Sequence, residues 1–210
     1  TQLLLDGERR GMLWANGLGM LVAQAKAAAE CFLGTEIADG RVEEITREME
    51  KQTRNLLLIG MPGCGKSTVG RELARRLGRE LADTDALVEE MAGCAIPEIF
   101  AREGEESFRR LEHRAICQVG KKSGLVISAG GGIVTRPENR DPMHQNSTVI
   151  FLRRSLNRLP TEGRPVSQAN DLSQLYRRRL PLYQGAADLE VDNDGTVERT
   201  VSEIIRRLEL

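Results

Sequence analysis

Hydrophobic and polar positions follow two different patterns along this chain, and the change comes near residue 55. Before it, apolar residues recur at three- and four-residue steps over 17–34, which predicts an amphipathic helix ending at Gly34. A second helix is predicted over 40–54, because Asp39 can cap its start and basic residues lie near its end. The first part of the chain is therefore predicted to be a helical appendage.

From Asn55 onwards, short apolar runs alternate with helical stretches. This alternation predicts a parallel β-sheet covered by helices on both faces, because parallel strands need long crossover connections. The predicted strands are 55–60, 80–85, 125–130, 148–153 and 188–192. The predicted helices are 66–78, 84–92, 96–120 with a break at Gly104, 171–185 and 196–209.

A glycine-rich motif, GMPGCGKST at 60–68, follows the first predicted strand. It satisfies G-x-x-x-x-G-K-[ST] between a strand and a helix, which is the context in which this motif binds nucleotide phosphates. Its backbone N–H groups can form an anion cradle, Lys66 can reach the β- and γ-phosphates, and Ser67 can ligate Mg²⁺. The candidate nucleotide contacts are Gly60, Met61, Pro62, Gly63, Cys64, Gly65, Lys66, Ser67 and Thr68.

Two carboxylates, Asp83 and Asp85, end the second predicted strand. Residues two apart on a strand share a face, and the carboxyl ends of the strands open onto the ligand crevice in this architecture. We expect one carboxylate to hold Mg²⁺ through water and the other to orient or deprotonate a substrate hydroxyl. The alternative is a turn in which Asp85 only caps the next helix.

Arginines recur downstream on a chain whose charges almost cancel, with 30 Lys and Arg against 31 Asp and Glu. Arg109 and Glu112 share a face of a predicted helix, where a solvated ion pair is the alternative interpretation. A run of three arginines ends at Arg179, just before Pro181, where a basic helical face is the alternative. Arginines beside a phosphate loop indicate an anionic substrate, and the planar guanidinium suits a carboxylate.

Two loops complete the candidate site. A glycine triplet at 130–132 ends an apolar strand. Since three glycines cost backbone entropy, we expect a ligand to approach the N–H groups there, with a tight turn as the alternative. The polar loop 157–167, marked by proline and glycine, carries Arg158 and Arg164 and is typical of a lid.

Composition excludes several classes of protein. A nearly neutral chain lacks the basic field of a general nucleic-acid binder. Four cysteines without CxxC spacing and only two histidines argue against a zinc site and fit a reducing cytosol. No apolar run reaches the ~18 residues of a membrane span, and the N-terminal residues do not resemble a secretory signal. We expect a cytoplasmic protein without nucleic-acid or membrane partners.

Over residues 55–210 the sequence resembles shikimate kinase. The matching stretches, in order, are GMPGCGKSTVG, DTD, IPEIFAREGEESFRRLE, SAGGGIV, GRP and RLPLY…AD. The resemblance implies a P-loop α/β/α fold with a five-stranded parallel sheet of order 2-3-1-4-5, like that of nucleoside monophosphate kinases. It implies transfer of the γ-phosphoryl group of ATP to the 3-hydroxyl of shikimate, a step of aromatic amino acid biosynthesis, with Mg²⁺ as cofactor.

The resemblance also implies roles for single residues. It assigns Mg²⁺ to Ser67 and, through water, to Asp83, and it makes Asp85 the group that orients or deprotonates the hydroxyl. Arg164 is expected to close with the lid and, together with Lys66, to stabilise charge near the transferring phosphate. The implied shikimate-binding residues are Asp85, Arg109, Gly130, Gly131, Gly132 and Arg179. The residues implied near adenine are Arg158 and Asn193, although the segment from Arg158 to Arg164 is shorter than the family pattern.

Residues 1–35 resemble the C-terminal end of shikimate dehydrogenase, the enzyme of the preceding step. By that match Met20 is expected near the nicotinamide cofactor and Gln24 near shikimate, and a generic amphipathic helix is the alternative. The rest of a dehydrogenase is not found, since no G-x-G-x-x-G follows a strand. We expect a dehydrogenase remnant, a connecting helix at 36–54 and a kinase domain at 55–210. The chain would then be a fragment of a fused dehydrogenase–kinase, without dehydrogenase activity.

Two other functions stay open at the level of sequence. One is another small-metabolite kinase on the same scaffold, such as a gluconate kinase, which the choice of acceptor would separate. The other is a nucleotide-controlled interaction module that binds ATP without phosphorylating an acceptor. The combination of Arg109, Arg179 and Asp85 argues against the second, because a switch has no need to bind a carboxylate.

Overall fold

The computed structural model describes residues 2–13, 15–159 and 172–210. The chain divides into two compact units, Thr1–Arg54 and Asn55–Leu210. The helices described in the first unit are α1 (Gln2–Arg9), α2 (Leu18–Leu33) and α3 (Gly40–Thr53). Helix α1 was not predicted, because its leucines are adjacent along the chain instead of recurring at helical steps.

In the first unit α2 and α3 form a pair joined by side-chain bonds around their connection. Helix α2 ends at Gly34, whose φ of 63° is the left-handed conformation common after helices. Lys26 Nζ on α2 lies 2.6 Å from Asp39 Oδ1. The prediction that Asp39 caps α3 with its side chain is therefore wrong, since its carboxylate pairs with Lys26 and makes no capping bond. Met20 on α2 is 75% exposed, whereas Val22 is buried.

The second unit is built on a five-stranded sheet of order β2-β3-β1-β4-β5, whose neighbouring strands are all parallel. This confirms the predicted fold class. In the central strand Leu57 lies opposite Ile127 on one side and Val149 on the other, and all three are fully buried. The strands are β1 (Asn55–Ile59), β2 (Leu81–Asp83), β3 (Val126–Ser128), β4 (Ser147–Arg153) and β5 (Leu189–Asp192).

Helices flank this sheet close to where they were predicted. Helix α6 is broken at Gly104 as expected, because its φ of 79° and ψ of 177° are open only to glycine. The short helix α7 was not predicted. The helices described in this unit are α4 (Lys66–Leu77), α5 (Thr84–Ala92), α6 (Ile96–Val119), α7 (Arg140–His144), α8 (Leu172–Ala186) and α9 (Val197–Leu208).

Strand β2 ends two residues earlier than predicted, at Asp83, whereas α5 begins at Thr84 as predicted. The Asp83 carboxylate accepts the backbone N–H of Asp85 at 3.0 Å, and this cap starts the helix at Thr84. Asp85 is thus a helical residue, and the expectation that it shares a strand face with Asp83 is wrong. The alternative in which Asp85 caps the helix is also wrong, because the capping residue is Asp83.

Two further predictions concern the cysteines and membrane-spanning segments. All four cysteines are free thiols, as their spacing indicated. Within the described residues, no helix has both the length and the apolar character needed to cross a membrane.

Candidate active site

A cavity of about 460 Å³ opens at the carboxyl ends of the central strands. It brings together Lys66 and Ser67 from the phosphate loop, Asp85 from α5, Arg109 from α6 and Arg179 from α8. These residues are far apart in the sequence and meet because parallel strands end at the same edge of the sheet. The glycine triplet lines the same cavity.

The phosphate loop takes a conformation that depends on its glycines. Gly63 and Gly65 have φ values of 80° and 97°. Lys66 is nearly buried, and its Nζ donates hydrogen bonds to the carbonyls of Gly60 at 3.0 Å and Met61 at 3.1 Å. The ammonium group is therefore held over the loop, at the start of α4, where anions bind.

Not every predicted nucleotide contact faces the cavity. The side chains of Met61 and Cys64 are buried in the hydrophobic core. Gly60 also lies behind the loop, because a β-carbon there would come within 2.7 Å of the Leu152 carbonyl oxygen. The loop residues whose atoms line the cavity are Pro62, Gly63, Gly65, Lys66, Ser67 and Thr68.

Ser67 and Asp83, the two predicted Mg²⁺ ligands, lie next to each other. The Ser67 hydroxyl donates to Asp83 Oδ2 at 3.0 Å. The other carboxylate oxygen, Oδ1, is engaged in capping α5. One hydroxyl and one carboxylate oxygen therefore lie side by side at the end of the phosphate loop, and both are ligand types that Mg²⁺ accepts.

Asp85 is a buried carboxyl group with unused hydrogen-bonding capacity. Its Oδ1 atom is buried and has no hydrogen-bond partner among the described residues. Burial, together with the Asp83 carboxylate, raises the pKa of Asp85 above its ordinary value, although the charges of Lys66 and Arg109 oppose the shift. A carboxylate made more basic in this way is suited to accept a hydroxyl proton.

Arg109 is held in the cavity wall by two glutamates. Its Nη1 donates to Glu112 Oε2 at 2.8 Å, and its Nη2 donates to Glu105 Oε1 at 2.9 Å. Arg109 is only 6% exposed and Glu112 is fully buried, so this is no solvated surface pair. Burial raises the pKa of Glu112 above its ordinary value despite the opposing charge of Arg109. Glu112 lines the cavity but was not among the predicted site residues, and its three-residue spacing from Arg109 was the available signal.

Arg179 is positioned by contacts with the glycine triplet. Its Nη1 donates to the Gly131 carbonyl at 3.0 Å, and the hydroxyl of Tyr183 donates to the same oxygen at 2.5 Å. Tyr183 is fully buried and stacks on Phe151 of β4 with 5.1 Å between ring centroids. One turn of α8 is thereby anchored to the core, and Arg179 is anchored with it.

Side chains of the protein leave no room for a β-carbon at the three glycines 130–132. A β-carbon on Gly130 would lie 2.6 Å from Asp85 Oδ1, and one on Gly131 would lie 2.7 Å from the Pro62 ring. The chain turns at Gly131 and Gly132, but none of the three glycines has a φ in the left-handed region, so the backbone conformation does not require glycine there. Side chains of the protein therefore account for the lack of a β-carbon at these positions, and the approach of a ligand to the triplet, which lines the cavity, stays a prediction.

The two residues implied near adenine, Arg158 and Asn193, make different contacts in the structure. Asn193, at the end of β5, is buried and its Nδ2 donates to the Cys64 carbonyl at 2.5 Å. Arg158 is exposed and donates instead to the backbone carbonyl of Asp194. The arginine next to the phosphate loop is Arg154, whose Nη1 lies 3.5 Å from the Cys64 carbonyl oxygen and which was not predicted. Arg164 lies outside the described residues.

Comparisons with known proteins match most of the chain to one family. The family model described as shikimate kinase matches residues 62–209. A shikimate kinase of Synechococcus sp. (strain CC9605) is 41% identical over 165 residues, which cover 74% of this chain and 82% of that protein. A shikimate kinase of Legionella pneumophila (strain Corby) is 40% identical over 167 residues, covering 75% of this chain and 95% of the relative.

Solved structures show the same likeness. The shikimate kinase of Acinetobacter baumannii, described as a complex with shikimate, has a TM-score of 0.69 at 30% identity and covers 78% of this chain and 97% of its own. The shikimate kinase of Aquifex aeolicus has a TM-score of 0.67 at 31% identity, with 74% and 96% covered. Together with the match to the family model, these relatives show that the chain belongs to the shikimate kinase family.

Proposed function

We propose that this chain transfers the γ-phosphoryl group of ATP to the 3-hydroxyl of shikimate, giving shikimate 3-phosphate. One observation carries the proposal: a single cavity joins a phosphate loop to two buried arginines and to an aspartate whose Oδ1 atom is buried. A nucleotide switch has no use for such an acceptor site. The Acinetobacter baumannii relative, whose structure is described as a complex with shikimate, supports the choice of acceptor.

The two arginines supply the binding site for the acceptor's carboxylate. Arg109 and Arg179 come from different helices and line one cavity. A guanidinium group pairs with a carboxylate through two parallel hydrogen bonds, which fixes orientation as well as position. Since Glu105, Glu112 and the Gly131 carbonyl hold these guanidinium groups, little side-chain freedom is lost when the acceptor binds.

Asp85 would act on the hydroxyl that attacks the phosphate. The hydroxyl oxygen forms a bond to the γ-phosphorus, the bond from that phosphorus to the β-phosphate oxygen breaks, and ADP leaves. The hydroxyl proton passes to the Asp85 carboxylate, whose Oδ1 is without a partner among the described residues. The raised pKa of Asp85 favours this proton transfer.

Charge on the transferring phosphate would be offset by Lys66, and by Arg164 if the lid acts as the resemblance implies. Mg²⁺ belongs to the proposal, with Ser67 Oγ and Asp83 Oδ2 as the protein oxygens that would hold it. This small ligand set fits Mg²⁺, which keeps waters and substrate phosphates as its other ligands. When bound, it would neutralise negative charge on the nucleotide phosphates.

The test is an assay of acceptor-dependent ADP release by the purified chain with ATP and Mg²⁺. Shikimate should stimulate ADP release, and phosphorus NMR should show a new phosphomonoester in equal amount. Gluconate should not stimulate it. Stimulation by gluconate alone would point to another metabolite kinase, and ATP binding without stimulation by any acceptor would point to an interaction module.

We further propose that residues 1–35 derive from the C-terminal end of shikimate dehydrogenase, joined to the kinase in a longer parent protein. The support is the resemblance of the sequence, together with the exposed apolar side chains of Met20 and Leu21 on α2. Shikimate and NADP⁺ should give no reduction of the nicotinamide with this chain. An antibody against residues 55–210 should detect a polypeptide longer than 210 residues in extracts of the source organism. NADP-dependent turnover by the chain would contradict the proposal.

A further inference from the structure

We propose that Arg154 binds the nucleotide at its α-phosphate end, on the opposite side of the phosphate loop from the acceptor cavity. The inference rests on the proposed function, because it needs a nucleotide on the loop. Arg154 was not among the residues predicted from the sequence, and its proposed place at the α-phosphate differs from the adenine contact expected of Arg158.

The order of the strands indicates which way the nucleotide runs. The phosphate loop follows the central strand β1. Acceptor residues follow β2 and β3 on one side of it: Asp85 comes after β2 and the triplet 130–132 after β3. Because the γ-phosphate must face the acceptor, the rest of the nucleotide must extend towards β4 and β5. Arg154 directly follows β4, on that side.

Arg154 lies against the part of the loop that leads into α4. Its Nη1 is 3.5 Å from the Cys64 carbonyl oxygen. A β-carbon built on Gly65 would lie 3.5 Å from the same Nη1 and 3.3 Å from Asn193 Nδ2. The backbone N–H groups of this part of a phosphate loop cradle the α- and β-phosphates. The guanidinium therefore stands beside the position expected for the α-phosphate.

The Arg154 guanidinium also has N–H groups that donate no hydrogen bond within the described part of the chain. Its bond to the Cys64 carbonyl is at the limiting distance for a hydrogen bond. Its Nε is buried and has no hydrogen-bond partner in the described part of the chain. An arginine carries five N–H donors, and a buried donor without a partner is unfavourable. A phosphate group next to the guanidinium would satisfy donors that the protein leaves unused.

The turn after β4 separates the two arginines. The backbone N–H and the hydroxyl of Ser155 both donate to the Asp194 carboxylate, which anchors the chain directly after Arg154. Arg158 lies one short helical turn further on, is exposed, and donates to the Asp194 backbone carbonyl. The same anchor that holds Arg154 beside the loop thus leads Arg158 to a different contact.

The experiment measures ATP, ADP and shikimate binding by calorimetry for the wild-type chain and for Arg154→Gln, Arg154→Lys and Arg153→Gln. Losing a charge-assisted hydrogen bond should raise the Kd for ATP about ten-fold or more in Arg154→Gln. The Kd for ADP should rise by a similar factor, since both nucleotides carry the α-phosphate. Arg154→Lys should recover part of the affinity because it keeps the charge. Arg153→Gln should stay within about two-fold of wild type, because Arg153 is exposed and pairs with Glu190 and Asp192 on β5.

Several outcomes would overturn the inference. One is an Arg154→Gln variant that melts like wild type and binds ATP equally well. Another is a loss confined to ATP, which would place Arg154 at the γ-phosphate, and a third is an equal loss of shikimate affinity, which would indicate a structural defect. A different result would contradict the proposed function alone: a wild-type chain that binds ATP but does not phosphorylate shikimate. The effect of the Arg154 substitutions on nucleotide binding could then still be measured. A wild-type chain that binds no nucleotide would overturn both.

Discussion

The Arg109 guanidinium occupies the space that a side chain at Gly132 would need. A β-carbon on Gly132 would lie 1.9 Å from Arg109 Nη1 and 2.5 Å from Cζ. The missing side chain at 132 therefore makes room for the guanidinium that we propose as a carboxylate-binding group. The position of the Arg109 guanidinium on α6 therefore depends on the absence of a side chain at Gly132.

Gly132→Ala should impair use of shikimate more than use of ATP. The new methyl group would displace the Arg109 guanidinium, the flexible end of a long side chain, so the fold should survive. We expect the KM for shikimate to rise about ten-fold or more, because loss of a charge-assisted hydrogen bond is worth ~1.5–3 kcal/mol. Steady-state kinetics with each substrate varied in turn would measure this. Gly185→Ala on α8 is the matched control, since a β-carbon there meets nothing within 4 Å. Equal kinetics for the two variants would contradict the prediction.

Asp85→Asn should remove most of the phosphoryl transfer while ATP binding persists. The amide cannot accept the hydroxyl proton, and general-base groups contribute about 10²–10⁴-fold to rates. The variant should melt at the same temperature as wild type or a higher one, because it no longer buries a carboxylate without a partner among the described residues. Calorimetric ATP binding, thermal melting and kcat would test these three points. Turnover like that of wild type would exclude Asp85 as the base.

The raised pKa of Asp85 predicts how the enzyme responds to pH. The rate should fall as pH decreases through a pKa higher than that of an ordinary aspartate, because the protonated acid cannot accept a proton. For stability, the folded state holds this proton more tightly than the unfolded chain. The free energy of unfolding should therefore rise as pH is lowered through the window between the unfolded and folded pKa values. Urea unfolding of wild type and Asp85→Asn across that window would show the difference, and parallel curves would contradict it.

Arg109→Lys should lower affinity for shikimate, because a point charge replaces a planar fork. The KM for shikimate should rise about ten- to a hundred-fold, in line with ~1.5–3 kcal/mol for a charge-assisted hydrogen bond. Arg110→Lys is the matched control, since Arg110 is the next residue of α6 and is exposed. Initial rates at varied shikimate would separate the two variants. An unchanged KM and kcat in Arg109→Lys would remove Arg109 from the acceptor site.

Removing Glu112 should destabilise the fold as well as the site. Its carboxylate is fully buried and pairs with Arg109 at 2.8 Å, so Glu112→Ala would leave a buried guanidinium with one partner fewer. Breaking such a pair lowers the free energy of unfolding by about 3–5 kcal/mol. Glu112→Gln keeps the shape and one acceptor oxygen and should lose much less. Denaturant unfolding of both variants would measure the difference, and an equally stable Glu112→Ala would show that the pair contributes no net stability.

The sequence predicted the features that depend on local order. The apolar run before the phosphate loop, the motif itself and the helix after it all follow from neighbouring residues, and the structure has them at Asn55–Ile59 and Lys66–Leu77. The break at Gly104 was predictable in the same way. The helix over 84–92 was also predicted, but the end of the second strand at Asp83 was not, because a side-chain bond from Asp83 to the backbone N–H of Asp85 places Asp85 in the helix.

What the sequence alone determined is the parallel α/β architecture, the phosphate loop and the set of charged residues that could serve a site. Periodicity and motif spacing carry that information because they reflect bonds between residues close in the chain. Only the tertiary structure decided that Arg109 and Glu112 form a buried pair. It also decided that the triplet 130–132 makes room for side chains, and that Arg154 lies beside the loop while Arg158 does not. Those outcomes depend on contacts between residues far apart in sequence, which no local pattern records.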